Sequence, residues 1–356
     1  MSARLLGVML VLLVALGGGA LLMRQQAASQ KPAGEGTLGQ PVFKGLQASQ
    51  VAAVAIRQPK ETLTIAKKDE RWTIAERGGF PADLDKVRDF VVKAMALKVG
   101  QSEPIGEKDR ARLLLDAGGT AVELQGADGK PLAQLTVGVK YFKVAPENPE
   151  KANGDGRYVM VPGDAKRVIV VSDPLSQVST RSADWISKAG FAAEKVKILD
   201  VRFPDASAWK IERSGDNADW KLIGARADEK LEITRANAAS YSLSLIELAD
   251  VARTDAKPED TGLDKPTVIT ATTLDGLVYT LKVGKPAGDS YYATVAIAGE
   301  PKPEGKDAEE RLKKINERLP REKALGAHTL LIPKSKLEDV LRNRADLLAK
   351  KEEKKK

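Results

Sequence analysis

The chain has 356 residues, 42% of them apolar, 30% charged and only 4% aromatic, with one histidine, no cysteine and a formal net charge of +8. This balance fits a folded globular body; the missing cysteines exclude a disulfide framework and, with a single histidine, leave no ligand set for zinc or a transition metal. The charge sits mostly at the ends: residues 1–41 carry +2 and residues 349–356 carry +3, so the intervening 42–348 hold only +3. With so few stacking platforms, nucleic-acid binding is not expected.

In chain order, the first element is Leu5 to Met23, an unbroken apolar run between Arg4 and Arg24. Its 19 residues would rise about 28 Å as a helix, close to the roughly 30 Å of bilayer hydrocarbon. The run exceeds the usual signal-peptide core, so it reads as an uncleaved single span, residues 1–24 being the anchor. Arg4 and the α-amino group before it predict a cytoplasmic N-terminus and an exported body. Residues 25–41, rich in Gln, Ala, Gly and Pro, read as a flexible tether.

The first repeat, 42–190, opens with strands at Val51–Ile56, Thr62–Ala66 and Arg71–Ile74. Asp83 is a plausible N-cap for a helix burying Leu84, Val87, Phe90, Val91, Ala94 and Met95, ended by Gly100. A short helix at Glu107–Leu115 follows, and Asp128-Gly129 predicts a hairpin between strands Thr120–Leu124 and Leu132–Val137. Further strands fall at Arg157–Val161 and Val168–Val171, and Ser182–Ile186 reads as a short closing helix. Asn153-Gly-Asp-Gly-Arg157 has the small-residue look of an ion or phosphate loop. It lacks calcium-loop spacing and no helix follows, so it reads as a turn.

The second half, 191–348, repeats this order. Trp72 and Trp220 are 148 residues apart, as are Asp116 and Asp264; Gly129 and Gly276 are 147 apart, and the Leu-x-Val-Gly glycines Gly138 and Gly284 are 146 apart. Near-constant offsets in one order point to a tandem duplication. A helix at Thr234–Leu248, apolar at Ala238, Tyr241, Leu245 and Leu248, takes the place of the first. Residues 299–327 are an insertion in the second copy. Its helix, Asp307–Leu319, has apolar positions only at Leu312, Ile315 and Leu319, and reads as a solvated excursion or as a partner-docking helix. His328–Ile332 returns as a strand, Ser335–Leu348 as the last helix, and 349–356 as a frayed Lys-rich tail. The fold class is therefore α+β: two tandem, similar domains of mostly antiparallel sheet with one packed helix each, behind an N-terminal transmembrane helix.

The anchor, the doubled strands followed by Trp and a helix, Leu-Asp before a strand, Leu-x-Val-Gly at a strand end, the Tyr158 and Tyr292 strands and the Ala-Asp closing helices resemble a bacterial family known as domain of unknown function 4340. The resemblance covers roughly residues 43–348. In setting, its members resemble auxiliary components of ABC-type transport systems linked to gliding motility. The resemblance thus implies a membrane-bound accessory role; joined to the span and Arg4, the expectation is a single-pass bacterial inner-membrane protein, body in the periplasm, with a protein partner in the envelope or a transporter. The resemblance carries over no catalytic residue.

No catalytic, cofactor-binding or metal-binding residue is assigned from the sequence, and no cofactor is expected. His328 opens an apolar strand and reads as structural rather than as a base. The carboxylate pairs Asp83/Asp85 and Glu229/Glu232 read as cap and surface charges. Trp72 and Trp220 read as core anchors rather than a sugar platform. The expectation is a non-catalytic accessory or scaffold protein of the envelope, the alternatives being a module that binds a glycan or peptide and a carboxylate-dependent hydrolase.

Overall fold

The computed structural model describes residues 37–349. The predicted span Leu5–Met23, most of the tether and nearly all of the Lys-rich tail lie outside them. No helix among the described residues is long and apolar enough to cross a membrane.

The first sheet is built from β1 (Ala53–Arg57), β2 (Thr62–Lys68), β3 (Arg71–Ile74), β4 (Phe80–Pro81), β5 (Val99–Pro104), β6 (Thr120–Gln125), β7 (Pro131–Tyr141), β8 (Gly156–Met160) and β9 (Arg167–Val171), with helices α1 (Leu84–Ala96) and α2 (Glu107–Arg112). Its nine strands run in the order β4-β3-β2-β1-β6-β7-β8-β9-β5. The second sheet holds β10 (Val196–Arg202), β11 (Ala208–Glu212), β12 (Lys221–Leu222), β13 (Asp250–Val251), β14 (Thr267–Thr273), β15 (Val278–Ala287), β16 (Ser290–Ala298) and β17 (Leu330–Pro333). Between and after them come α3 (Ile233–Tyr241), α4 (Pro258–Thr261), α5 (Ala308–Ala324) and α6 (Lys334–Leu337). Its eight strands run β12-β11-β10-β14-β15-β16-β17-β13. The strand pairings are antiparallel. With β4 set aside and strands ranked by chain order, both sheets read third, second, first, fifth, sixth, seventh, eighth, fourth. By contacts, the described residues group into 37–62 with 89–180, and 63–88 with 181–349.

In the first unit, Phe90, Ala94 and Leu97 lie over Val122, Leu124, Ala133 and Leu135. Burial of these side chains drives the packing at roughly 25 cal/mol per Å² of apolar surface. Asp83 caps α1, its Oδ1 accepting the N–H groups of Asp85 (3.1 Å) and Lys86 (3.3 Å). The predicted hairpin stands: Gly129 donates to Gly126 (3.0 Å) and Asp128 accepts from Lys130 N–H (3.1 Å). Leu-x-Val-Gly does not end a strand: Gly138 lies inside β7 and Gly284 inside β15, each at an irregularity of the pairing. A Cβ at Gly138 would overlap the Leu113 carbonyl oxygen at the end of α2, which accepts the Val139 N–H at 3.0 Å. In the second unit, a Cβ at Gly284 would overlap the Thr261 carbonyl at the end of α4. In each case a short helix docks its backbone against a strand, and only glycine leaves room.

Several expectations are corrected. Gly100 does not end the first helix; α1 stops at Ala96, and Gly100 lies at an irregularity of β5, a polar edge strand paired with β9. Leu84 is half exposed rather than part of the buried face. The helix of the second half ends at Tyr241, seven residues early, and its buried face is Ala236, Ala239 and Ser240, continued by Leu243 and Ile246 in the following turns. Tyr241 and Leu245 point to solvent. The last helix is only α6, followed by a 3-10 turn at Arg344–Leu347. Ser182–Asp184 is likewise a 3-10 turn.

The insertion helix is neither a solvated excursion nor a free docking element. Ile315, Leu319 and Glu322 fall on one face, and all three are buried. At one end Arg311 pairs with buried Asp275 at 3.1 Å. At the other, Glu322 accepts the hydroxyl of Tyr279 on β15 (3.1 Å) and the N–H of Ala192 (3.2 Å). Arg318, paired with Glu194 at 3.1 Å, also lies 3.6 Å from Glu322.

Candidate functional site

Among the described residues, no group of three or more His, Cys, Asp or Glu side chains is placed to hold a metal ion. The groups singled out in the sequence do not converge. His328 is half-buried, edge-on to Phe80 with ring centroids 5.0 Å apart. Burial pushes its pKa down, which keeps the imidazole neutral at pH 7. Asp85 reaches Arg88 at 3.6 Å, while its neighbour Asp83 is the α1 cap. Glu229 takes Arg344 at 2.6 Å and the Arg226 N–H at 2.9 Å, contacts that hold its carboxyl below the usual range. Glu232 caps α3 through Thr234 N–H (3.0 Å). Trp220 is buried, donates to Asn237 (3.0 Å) and lies under the Arg213 guanidinium, 4.8 Å from the ring centroid. Trp72 is only half-buried.

Two features have the form of a site. The first is an open cleft of about 600 Å³ in the first unit, lined by the β1–β2 turn, the α2–β6 turn, Val137 and Gly138 within β7, and Arg157 near the start of β8. The β1–β2 turn is tied to its surroundings through side chains: Gln58 donates to Thr120 (3.2 Å), and the Thr180 hydroxyl lies against Gln58 Oε1 (3.1 Å) and Glu61 Oε2 (2.8 Å). Arg157, on β8, enters this cleft. Burial lowers its pKa with no carboxylate opposing the shift, and its Nε is buried without a partner. Sequence reasoning missed Arg157 because it stands at the end of a turn-like Gly-Asp-Gly run. The available signal was a cation placed directly at the start of an apolar strand.

The second feature is apolar exposure on α1 and on α3. On α1, Leu84 and Val92 are 50% and 52% exposed; on α3, Ile233 and Tyr241 are 38% and 63% exposed. Ile233 and Tyr241 each lie 149 residues after Leu84 and Val92, in line with the other offsets between the halves. Leu245, just beyond α3, is 60% exposed. Residues eight apart share one side of a helix, so each helix carries its own apolar row facing solvent.

Among known families, the model described as Domain of unknown function (DUF4340) matches residues 72–266, from β3 to the residue before β14. No curated protein and no solved structure matches the chain.

Proposed function

The chain belongs to the family described as a domain of unknown function (DUF4340), and from that premise we propose that it is a membrane-anchored, non-catalytic accessory protein of the bacterial envelope, serving an ABC-type transport system. The observation that carries this reading is repetition combined with exposure. Both sheets share one strand permutation, and the helix after the third ranked strand of each exposes apolar residues at matching offsets. We infer a tandem duplication that yields two similar docking rows, Leu84/Val92 and Ile233/Tyr241, for a protein partner. Leu5–Met23 would hold the body at the inner membrane, with the N-terminus cytoplasmic and the body periplasmic. A tether of residues 25–41 would reach at most about 60 Å if fully extended.

The test is purification of the full-length protein from its native membrane in mild detergent, with mass spectrometry of what stays bound. A chain lacking Leu5–Met23 and a Tyr241→Asp variant serve as comparisons. Permease or ATPase subunits retained in near-equal amount, and reduced in both variants, support the reading. A protein that comes out alone, or whose partners ignore Tyr241→Asp, refutes docking through α3.

A further inference from the structure

We propose that the cleft beside Val137 and Gly138 of β7 and the start of β8 binds the oxyanion of a small polar ligand, a carboxylate or a phosphate, with Arg157 as its anchor. Among the described residues, four arginines, Arg77, Arg157, Arg311 and Arg318, have a buried Nε without a hydrogen bond. Three of them find partners through their other nitrogens: Arg77 with the Glu76 carbonyl (3.2 Å), Arg311 with Asp275 (3.1 Å) and Arg318 with Glu194 (3.1 Å). Arg157 has no such partner among the described residues, and it is the one that opens on the cleft. A half-buried cation without a counterion costs stability. A guanidinium fork presented to a cavity is suited to two parallel hydrogen bonds from a planar or tetrahedral oxyanion.

The surroundings supply the rest of a site. Lys60 stands on the rim with no ion pair among the described residues. Thr120 accepts from Gln58, which leaves its own hydroxyl proton for a ligand. The cleft's volume of about 600 Å³ lies in the range of small-molecule sites. Glu61 also lines the cleft, its carboxylate held by Thr180. Lys60, Arg157 and Glu61 together leave a single net positive charge, which favours a ligand with one oxyanion and a hydroxyl or amine for Glu61.

The experiment is scanning calorimetry of the full-length protein in detergent with inorganic phosphate, acetate or chloride at matched ionic strength. Binding to the folded state raises the unfolding temperature. A rise with both anions supports the shared oxyanion chemistry; a rise with phosphate alone or acetate alone supports it and identifies the source. The rise should vanish in Arg157→Gln and shrink in Arg157→Lys and in Lys60→Gln. No rise with either anion, or an undiminished rise in Arg157→Gln, overturns the proposal. Should Arg157→Gln fail to fold, an undiminished rise in Arg157→Lys overturns it equally.

Discussion

Glu322 gives the sharpest quantitative test, because a carboxylate only 1% exposed holds the insertion helix to the second sheet. Replacing it by alanine leaves the Ala192 N–H and the Tyr279 hydroxyl buried without acceptors, at about 1–3 kcal/mol each. Arg318, 3.6 Å from this carboxylate, keeps Glu194 as its partner at 3.1 Å and is not left alone. The two donors without acceptors together put the cost of Glu322→Ala at about 4 kcal/mol. Glu322→Gln keeps the volume and one acceptor and should cost about 1 kcal/mol near neutral pH. Burial raises the Glu322 pKa above its ordinary 4.5 despite the opposing Arg318. The folded state therefore holds the proton more tightly than the unfolded chain. This contribution to stability is fully present below pH 4.5 and is lost as pH rises through the folded pKa. Glutamine mimics the protonated acid, so the variant should gain on the wild type as pH rises through that window. All four tryptophans, Trp72, Trp185, Trp209 and Trp220, fall in this unit, so tryptophan fluorescence during urea unfolding reports it directly. A cost below about 1 kcal/mol for Glu322→Ala, or a gap between wild type and Glu322→Gln that does not change with pH, would refute the reasoning.

Gly284→Ala and Gly138→Ala should each destabilise by about 1–3 kcal/mol, because backbone must move to admit the methyl group, whereas Gly106→Ala, in open space, should change unfolding little. Trp220→Phe removes the hydrogen bond to Asn237 and weakens the contact with Arg213, a loss of about 1–2 kcal/mol in the same fluorescence-monitored denaturation. Tyr241→Asp should stay within about 0.5 kcal/mol of the wild type in urea, because its side chain is exposed. A large loss there would make Tyr241 structural and remove the basis for reading α3 as a docking face.

The strand skeleton was legible because its core strands alternate or run apolar: Val54, Ala55 and Ile56, or Leu199 and Val201, could scarcely be placed elsewhere. The offsets between halves were legible for a similar reason, since Gly138 and Gly284 serve the same close approach. Edge strands were not. Val99–Pro104 reads Val-Gly-Gln-Ser-Glu-Pro, and its place comes from pairing with distant β9 rather than from its own side chains. The phase of α3 was misread because small residues, Ala236, Ala239 and Ser240, face the core while large Tyr241 faces out. Glu322 looked like one more charge in a charged helix; only the fold places Tyr279 and Ala192 against it. Arg157 was hidden likewise, since an unpaired cation is a property of surroundings, not of sequence.

The insertion also lengthens the wait between two events of synthesis. In the first unit, β8 and β9 are separated by residues 161–166 only; in the second, residues 299–329 separate β16 from β17. At about 5–20 residues per second, those 31 residues delay β17 by about 2–6 s, during which β16 has no outer neighbour and offers an open, partly apolar edge. β13 waits longer still, because Val251 pairs with Leu330, 79 residues later. The first sheet has a similar long wait, since Val99 pairs with Val171, 72 residues later; what residues 299–329 add is the longer exposure of the β16 edge, and the nascent second sheet is most open to aggregation while α5 is being made.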